Sequence, residues 1–189
     1  DRTDKKIKPL LCSGNFLSSR MQNSIAAEFI AQSVFRMQEN TPRIEKCLQL
    51  LNEEDIWKKP NEAGNSIGNL MLHLCGNITQ YILSSLGNRE DKRIRDKEFS
   101  IMGGYNKEQL FKKLAVSVAE TVHIIQSLDD SELMHIRSVQ GFQLSAIGSI
   151  VHVAEHYSYH TGQIILITKL ITNKDLGFYA GYDLNKKNT

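Results

Sequence analysis

The sequence predicts an all-α fold, a four-helix bundle, and three observations carry that prediction. Apolar residues recur at alternating spacings of three and four through four long stretches. Nothing alternates with period two for long enough to demand a sheet, and only Pro9, Pro42 and Pro60 interrupt the chain. Four helices of roughly 20–30 residues, each with one apolar stripe, can bury those stripes only against one another.

Residues 1–20 show no period and precede Met21, so they read as a leader or extension outside the folded unit. The bundle is expected over residues 21–180, with 181–189 as a C-terminal tail. From about 22 to 52, Ile30, Val34, Met37, Ile44, Leu48 and Leu51 keep helical spacing, with Thr41 filling the vacant step and Pro42 as the candidate bend. "NEEDIWKKPNEAGNS" is turn-rich, and Asn65 or Ser66 suits the N-cap of a second helix over about 66–86 that stops at Gly87. Residues 88–105 form a long crossing whose mixed charges, "NREDKRIRDKE", read as a solvated connection. A third helix over about 106–128 turns Phe111, Leu114, Val118, Val122 and Ile125 inward. "DDSELMHIRSVQGFQ" is a further connection, and a fourth helix occupies about 143–172. The long crossing lets helices two and three run parallel, whereas the two shorter connections suit antiparallel neighbours.

The totals exclude several classes. Hydrophobic residues make up 41% and charged residues 23% of the 189, the balance of an ordinary globular domain. The net charge of +2 comes from interspersed residues without a basic stripe, so no nucleic-acid partner is indicated. No segment has the length and purity of a membrane span, and no signal-peptide run opens the chain. Cys12, Cys47 and Cys75 are odd in number and lack CxxC spacing, which suits free thiols in a cytoplasmic protein.

The strongest chemical signal lies in "IVHVAEHYSYHTGQIILITKL". Ser145, Ser149, His152, His156, His160 and Gln163 share one face of helix four, whose other positions are nearly all apolar. The bland reading makes this strip the water-facing side. The solvent faces of helices one and three, however, use Lys, Glu, Gln and Arg freely, so a polar seam inside the bundle is the better account, and buried polar groups need partners. A metal ion is one such partner. His73 on helix two with a histidine pair on helix four supplies three neutral nitrogen ligands and leaves an open position, the composition of a catalytic site. Two pairs compete. "HVAEH" has the HxxEH pattern of inverted zinc proteases with Glu155 as a base, and "HYSYH" is a plain HxxxH; spacing does not choose between them. His123 and His135 read as surface or packing residues.

"SIGNLMLHLCGNITQYI" and "HVAEHYSYHTGQIILITKL" together resemble the DinB-like (DinB/YfiT) family of bacterial metalloenzymes, in the branch with SIGNLxLHLxGN and HVxEHxSYHTGQI motifs. "IEKCLQLLNEEDIWKKPNEAGNSIGN", "VQGFQ" and "ITKLITNKDLGFY" extend the likeness over about residues 22–180. The resemblance implies an up-down-down-up four-helix bundle, often dimeric, whose metal ligands fall on His73, His156 and His160. It thereby makes "HVAEH" a decoy and His152 an outer or core residue. It also implies a range of activities, from thiol-dependent transferases that join low-molecular-weight thiols to electrophiles, to hydrolases. The competing reading is a non-enzymatic, metal-binding or stress-associated dimeric bundle. Zinc or nickel is the expected ion, with iron and manganese also compatible with imidazole ligands. Tyr157, Tyr159, Asn77 and Gln163 are the weaker outer candidates around the site; packing or a single hydrogen bond is the simpler role for the tyrosines, and an interhelical hydrogen bond for Asn77. Trp57 reads as a packing anchor, Gly162 as a point of close helix approach, and Cys75 as badly placed for a ligand.

Overall fold

The structure, a computed structural model, describes residues 24–188. The leader expected over residues 1–20, with Cys12 in it, lies outside the described residues. Chain order is α1 (Ile25–Leu50), α2 (Glu53–Trp57), α3 (Ile67–Ile78), a π-helical segment (Thr79–Ser84), α4 (Arg95–Ser100), α5 (Lys107–Ser127), α6 (Asp130–Met134), β1 (Ile136–Val139), β2 (Phe142–Ser145) and α7 (Ala146–Thr172).

Four long elements, α1, α3 with its π-helical extension, α5 and α7, form the up-down-down-up bundle. α1 packs on α7 and α5, and α3 packs on the same two helices. The predicted stripe of α1 closes the core through Ile30, Val34, Met37, Ile44, Leu48 and Leu51, and α1 runs without interruption through Pro42. On α5 the buried stripe is Leu110, Leu114, Ser117, Val118, Thr121 and Ile125, with Phe111 and Val122 half-buried at its edges. No helix among the described residues is long and apolar enough to cross a membrane.

The starts of these helices follow from their caps. Ser24, Ser66, Asn106 and Ser145 each accept a backbone N–H with the side chain, satisfying one of the donors that a first turn leaves free. The end of the second long element differs from expectation. Gly87 keeps an ordinary φ, and it is Asn88 that turns left-handed, at φ 55°. Gly87 is instead a point of close approach, because a Cβ there would lie 2.5 Å from Ile124 Cδ1 on α5. Gly162 is the reverse case: a Cβ there would meet nothing within 4 Å, so it is not where helices approach closely.

Two connections also differ from their sequence reading. Residues 136–145 form an antiparallel hairpin that pairs Ile136 with Ser145 and Val139 with Phe142. Gln140 and Gly141 take φ of 50° and 83°, the left-handed pair that a tight two-residue hairpin requires. Four-residue strands are too short to show a period, so only the "QG" dipeptide hinted at them. The crossing over 88–105 is not uniformly solvated either, because Glu98 is buried and Arg93 has only 3% of its side chain exposed.

Candidate metal centre

The motif "SIGNLMLHLCGN" reads as a set of positions on α3, each with a separate job. Ser66 caps the helix and Ile67 enters the core. Gly68 lies under the Trp57 ring, where a Cβ would sit 2.7 Å from Cε3. The Trp57 indole N–H donates to the Tyr105 carbonyl at 3.0 Å, so Trp57 is the packing anchor expected of it. Asn69 closes the capping box with its oxygen and donates its amide hydrogens to the carbonyls of Glu98 and Ile101, at 2.9 and 2.8 Å. That pair of bonds ties α4 to α3. It holds Glu98 over Gly76, where any Cβ would overlap the carboxylate.

The consequence falls one turn earlier on α3, at His73. Its Nδ1 lies 2.8 Å from Glu98 Oε2. Arg93 clamps the same carboxylate in two places, Nε to Oε1 at 2.8 Å and Nη2 to Oε2 at 2.9 Å. Arg93 Nη1 in turn donates to Gln80 Oε1 at 2.9 Å, from the π-helical segment. Burial pushes the Glu98 carboxyl up, but the hydrogen bonds from Arg93 and His73 outweigh it and hold the group below the usual range. An ionised carboxylate only accepts, so the proton between Glu98 and His73 belongs to Nδ1, and His73 presents the lone pair of Nε2 inward.

Helix α7 presents two imidazoles to that lone pair. His156 Nε2 lies 2.9 Å from His73 Nε2. His160 Nδ1 lies 2.7 Å from Gln163 Oε1, which as an acceptor sets the proton on Nδ1 and leaves His160 Nε2 free. The ring centroids are 4.9 Å apart for His73 and His156, 5.0 Å for His73 and His160, and 4.4 Å for His156 and His160. One nitrogen of each falls within 4.8 Å of the others. Burial pushes the His156 ring down to about 3, with His160, His73, His152 and Arg93 adding to the effect, and burial also lowers His160. Neutral imidazoles with oriented lone pairs are what a divalent ion requires. A tetrahedral ion with bonds of about 2.0–2.1 Å sets its ligand nitrogens about 3.3 Å apart, so the observed 2.9 Å fits after an opening of a few tenths of an ångström. The carboxylate and the amide behind the rings complete the pattern, because such partners fix ring orientation and raise ligand basicity.

The neighbouring candidates separate cleanly. His152 stacks on Tyr81 at 4.1 Å and meets Asn77 Nδ2 through Nε2 at 3.0 Å, so it stands beside the cluster in an interhelical hydrogen bond. Glu155 faces away, in a groove with Phe29, Arg36 and Val151 between α1 and α7. Tyr157 is buried in the core, its hydroxyl 2.9 Å from Thr41 Oγ1, which is a packing role with one hydrogen bond. Tyr159 is exposed, edge-on to His160. Cys75 is buried on another side of α3, where burial pushes its thiol up to about 12, so it is no ligand. His123 and His135 are exposed. The polar strip on α7 is a seam: Ser149 and His160 are buried, and Ser145, His152, His156 and Gln163 are half-buried.

Sequence reasoning missed Glu98, Arg93 and Gln80. The available signal was Gly76, one helical turn beyond His73, since a glycine on the ligand helix announces that another group comes close. An open cavity of about 460 Å³ lies over the cluster, lined by His73, Asn77, Arg93, Arg95, Gln140, Phe142, His152 and His156.

Three histidines converging from the second and fourth long helices of the bundle make a candidate metal centre, and solved structures, two of them of DinB-like proteins, share the fold. A conserved protein from Enterococcus faecalis matches with a TM-score of 0.63 at 17% identity, over 76% of this chain and 97% of its own. DinB-like proteins from Bacillus cereus (TM-score 0.59, 18% identity, 75% of this chain and 90% of its own) and Bacillus subtilis (YjoA; 0.60, 16%, 78% and 96%) match similarly. No curated protein matches the chain. The chain belongs to the family described as a protein of unknown function, DUF1572, whose profile matches residues 24–179.

Proposed function

We propose that this protein is a metal-dependent enzyme in which His73, His156 and His160 hold one divalent ion, zinc or nickel before iron or manganese, and that it transfers a low-molecular-weight thiol to an electrophile. The observation that carries the reading is the orientation of the His73 and His160 nitrogens, set by Glu98 and Gln163, beside an open cavity whose wall includes His73 and His156. When bound, the ion supplies Lewis acidity that lowers the pKa of a thiol or of water. Burial favours the neutral rings of His156 and His160, and Arg93 holds Glu98 in place behind His73.

A hydrolase is the second reading, and the cavity wall favours the transferase over it. Glu98 is committed to Arg93 and His73, and Glu155 faces away, so no carboxylate lining the cavity is available as a base for water. A thiol needs less help, because its pKa starts far lower than that of water. A non-enzymatic metal-binding bundle predicts a closed coordination sphere, against which the open cavity argues. In this reading the protein works as a cytoplasmic homodimer, and the exposed apolar side chains Val151, Leu166 and Leu170 along α7 support the pairing of two copies.

Elemental analysis of untagged protein tests the centre. About one ion per chain is expected in the wild type and in His152→Ala, and none in His73→Ala or His160→Ala. Loss in His152→Ala with retention in His160→Ala would sink the ligand assignment. Given a loaded site, conjugation of a thiol to a chromogenic electrophile, absent from His160→Ala, tests the activity.

A further inference from the structure

The cavity above the histidines has a composition that selects its occupant. Its wall carries two guanidinium groups, from Arg93 and Arg95, and no carboxylate. Arg93 is committed to Glu98 and Gln80. Arg95 is not: it is the arginine that, among the described residues, has neither an ion pair nor a side-chain hydrogen bond. Arg36, Arg43, Arg89 and Arg93 are all paired with carboxylates, and Arg137 donates to the carbonyls of Glu132 and His135.

Packing places Arg95. Its guanidinium carbon lies 4.9 Å from the centroid of Phe99, and the Phe99 ring lies 4.6 Å from the ring of His73. Cation, aromatic ring and imidazole therefore form a column whose two ends, Arg95 and His73, both line the cavity. Asn69 anchors the helix that carries Arg95 and Phe99 to α3, so the column is built on a tied element. The hairpin supplies further lining: Gln140 is bonded to the Tyr81 hydroxyl at 2.8 Å, and Phe142 stands 60% exposed. An unpaired cation and an uncovered aromatic ring, both lining a cavity over a candidate metal site, are the groups that would grip the two ends of an amphipathic ligand.

We infer that the cavity takes a small molecule bearing an anionic group, a carboxylate or a phosphate, which binds Arg95 while an apolar part lies on Phe142. This rests on the metal-centre reading only for the further statement that the molecule's reacting group points to the histidines. Arg95 is a positioning and specificity residue here, whose planar fork of donors suits a carboxylate or a phosphate.

The test uses two readouts. In cobalt-loaded protein, the thiolate-to-cobalt absorption is titrated with neutral 2-mercaptoethanol and with mercaptosuccinate. Mercaptosuccinate is expected to bind about ten-fold or more tightly than 2-mercaptoethanol, and Arg95→Gln to abolish that advantage while leaving 2-mercaptoethanol unchanged. In metal-free protein, the Arg95 Nε–H resonance, assigned by its loss in Arg95→Gln, is followed on addition of mercaptosuccinate, succinate and inorganic phosphate. A saturable shift is expected with mercaptosuccinate and with at least one simple anion, and the better of succinate and phosphate identifies the anionic group. Equal affinities for the two thiols, an advantage that survives Arg95→Gln, or an Arg95 resonance indifferent to all three anions would overturn the inference. Failure to load cobalt with a saturable Arg95 shift would defeat the metal-centre reading and leave the anion site standing.

Discussion

Replacing Glu98 with Gln separates the two roles of this carboxylate. It accepts three hydrogen bonds of 2.8–2.9 Å, two from Arg93 and one from His73. Gln keeps the shape but offers one acceptor oxygen, and its NH2 group must face a donor on Arg93 or His73. Arg93, 3% exposed, is left without its countercharge. Breaking a buried pair from one side costs about 3–5 kcal/mol; because Arg93 also lines the open cavity, the lower end applies, about 3 kcal/mol. A domain stable by about 5–15 kcal/mol remains folded after that loss. At the centre, His73 loses the partner that holds its proton on Nδ1 and makes Nε2 basic, an effect of about 10–100-fold in metal affinity, or about 1.4–2.7 kcal/mol. Urea unfolding of metal-free protein measures the first term, and competition for zinc against a chromophoric chelator at pH 7.5 measures the second. A zinc affinity within about two-fold of wild type, alongside the full loss of urea stability, would refute the orienting role and leave Glu98 as a partner for Arg93 alone.

Three further predictions follow from neighbouring geometry. Gly76→Ala keeps every charge but drives a Cβ into the Glu98 carboxylate, so zinc affinity should fall as in Glu98→Gln, with a stability cost of about 1–3 kcal/mol; unchanged zinc affinity in the chelator competition would contradict the close approach. Tyr157→Phe removes the 2.9 Å bond to Thr41 and should cost about 1 kcal/mol in urea unfolding while leaving metal content unchanged, since the hydroxyl bonds to α1 and not to the histidines. Metal-free protein should lose stability as pH falls. His156 has its folded value lowered to about 3 from 6.5, and His152, His160 and Glu98 are also lowered. Each such group binds a proton more readily when unfolded, so its contribution is complete above its unfolded value and is lost on acidification, for His156 between about 6.5 and 3. Urea midpoints that stay level from pH 7.5 to pH 4.5 would contradict this.

The bundle was legible because each long helix carries its own record of burial. The spacing of Ile30, Val34, Met37, Ile44 and Leu48 states which side of α1 faces in, and the cap at Ser66 states where the second long helix begins; the fourth, expected from about 143, starts at Ala146 because 142–145 pair in the hairpin. The convergence of His156 and His160 was legible for the same reason, since residues four apart on a helix share a face whatever surrounds them. What supports those histidines is encoded elsewhere in the chain, and short-range patterns do not register it. Glu98 and Arg93 sit in a run of mixed charges that looks identical to a solvated loop until Asn69 pins α4 against α3. Period and spacing report only local geometry, so the sequence by itself determined the helices, their inward faces and the shared face of the histidines. The tertiary structure decided what spacing left open: that His73 meets His156 and not His152, as the family resemblance had implied, that a carboxylate held by arginine orients it, and that an Arg95 unpaired among the described residues overlooks the cavity. Those outcomes depend on how rigid elements far apart in the chain come to rest against one another, and no periodicity within one element carries that information.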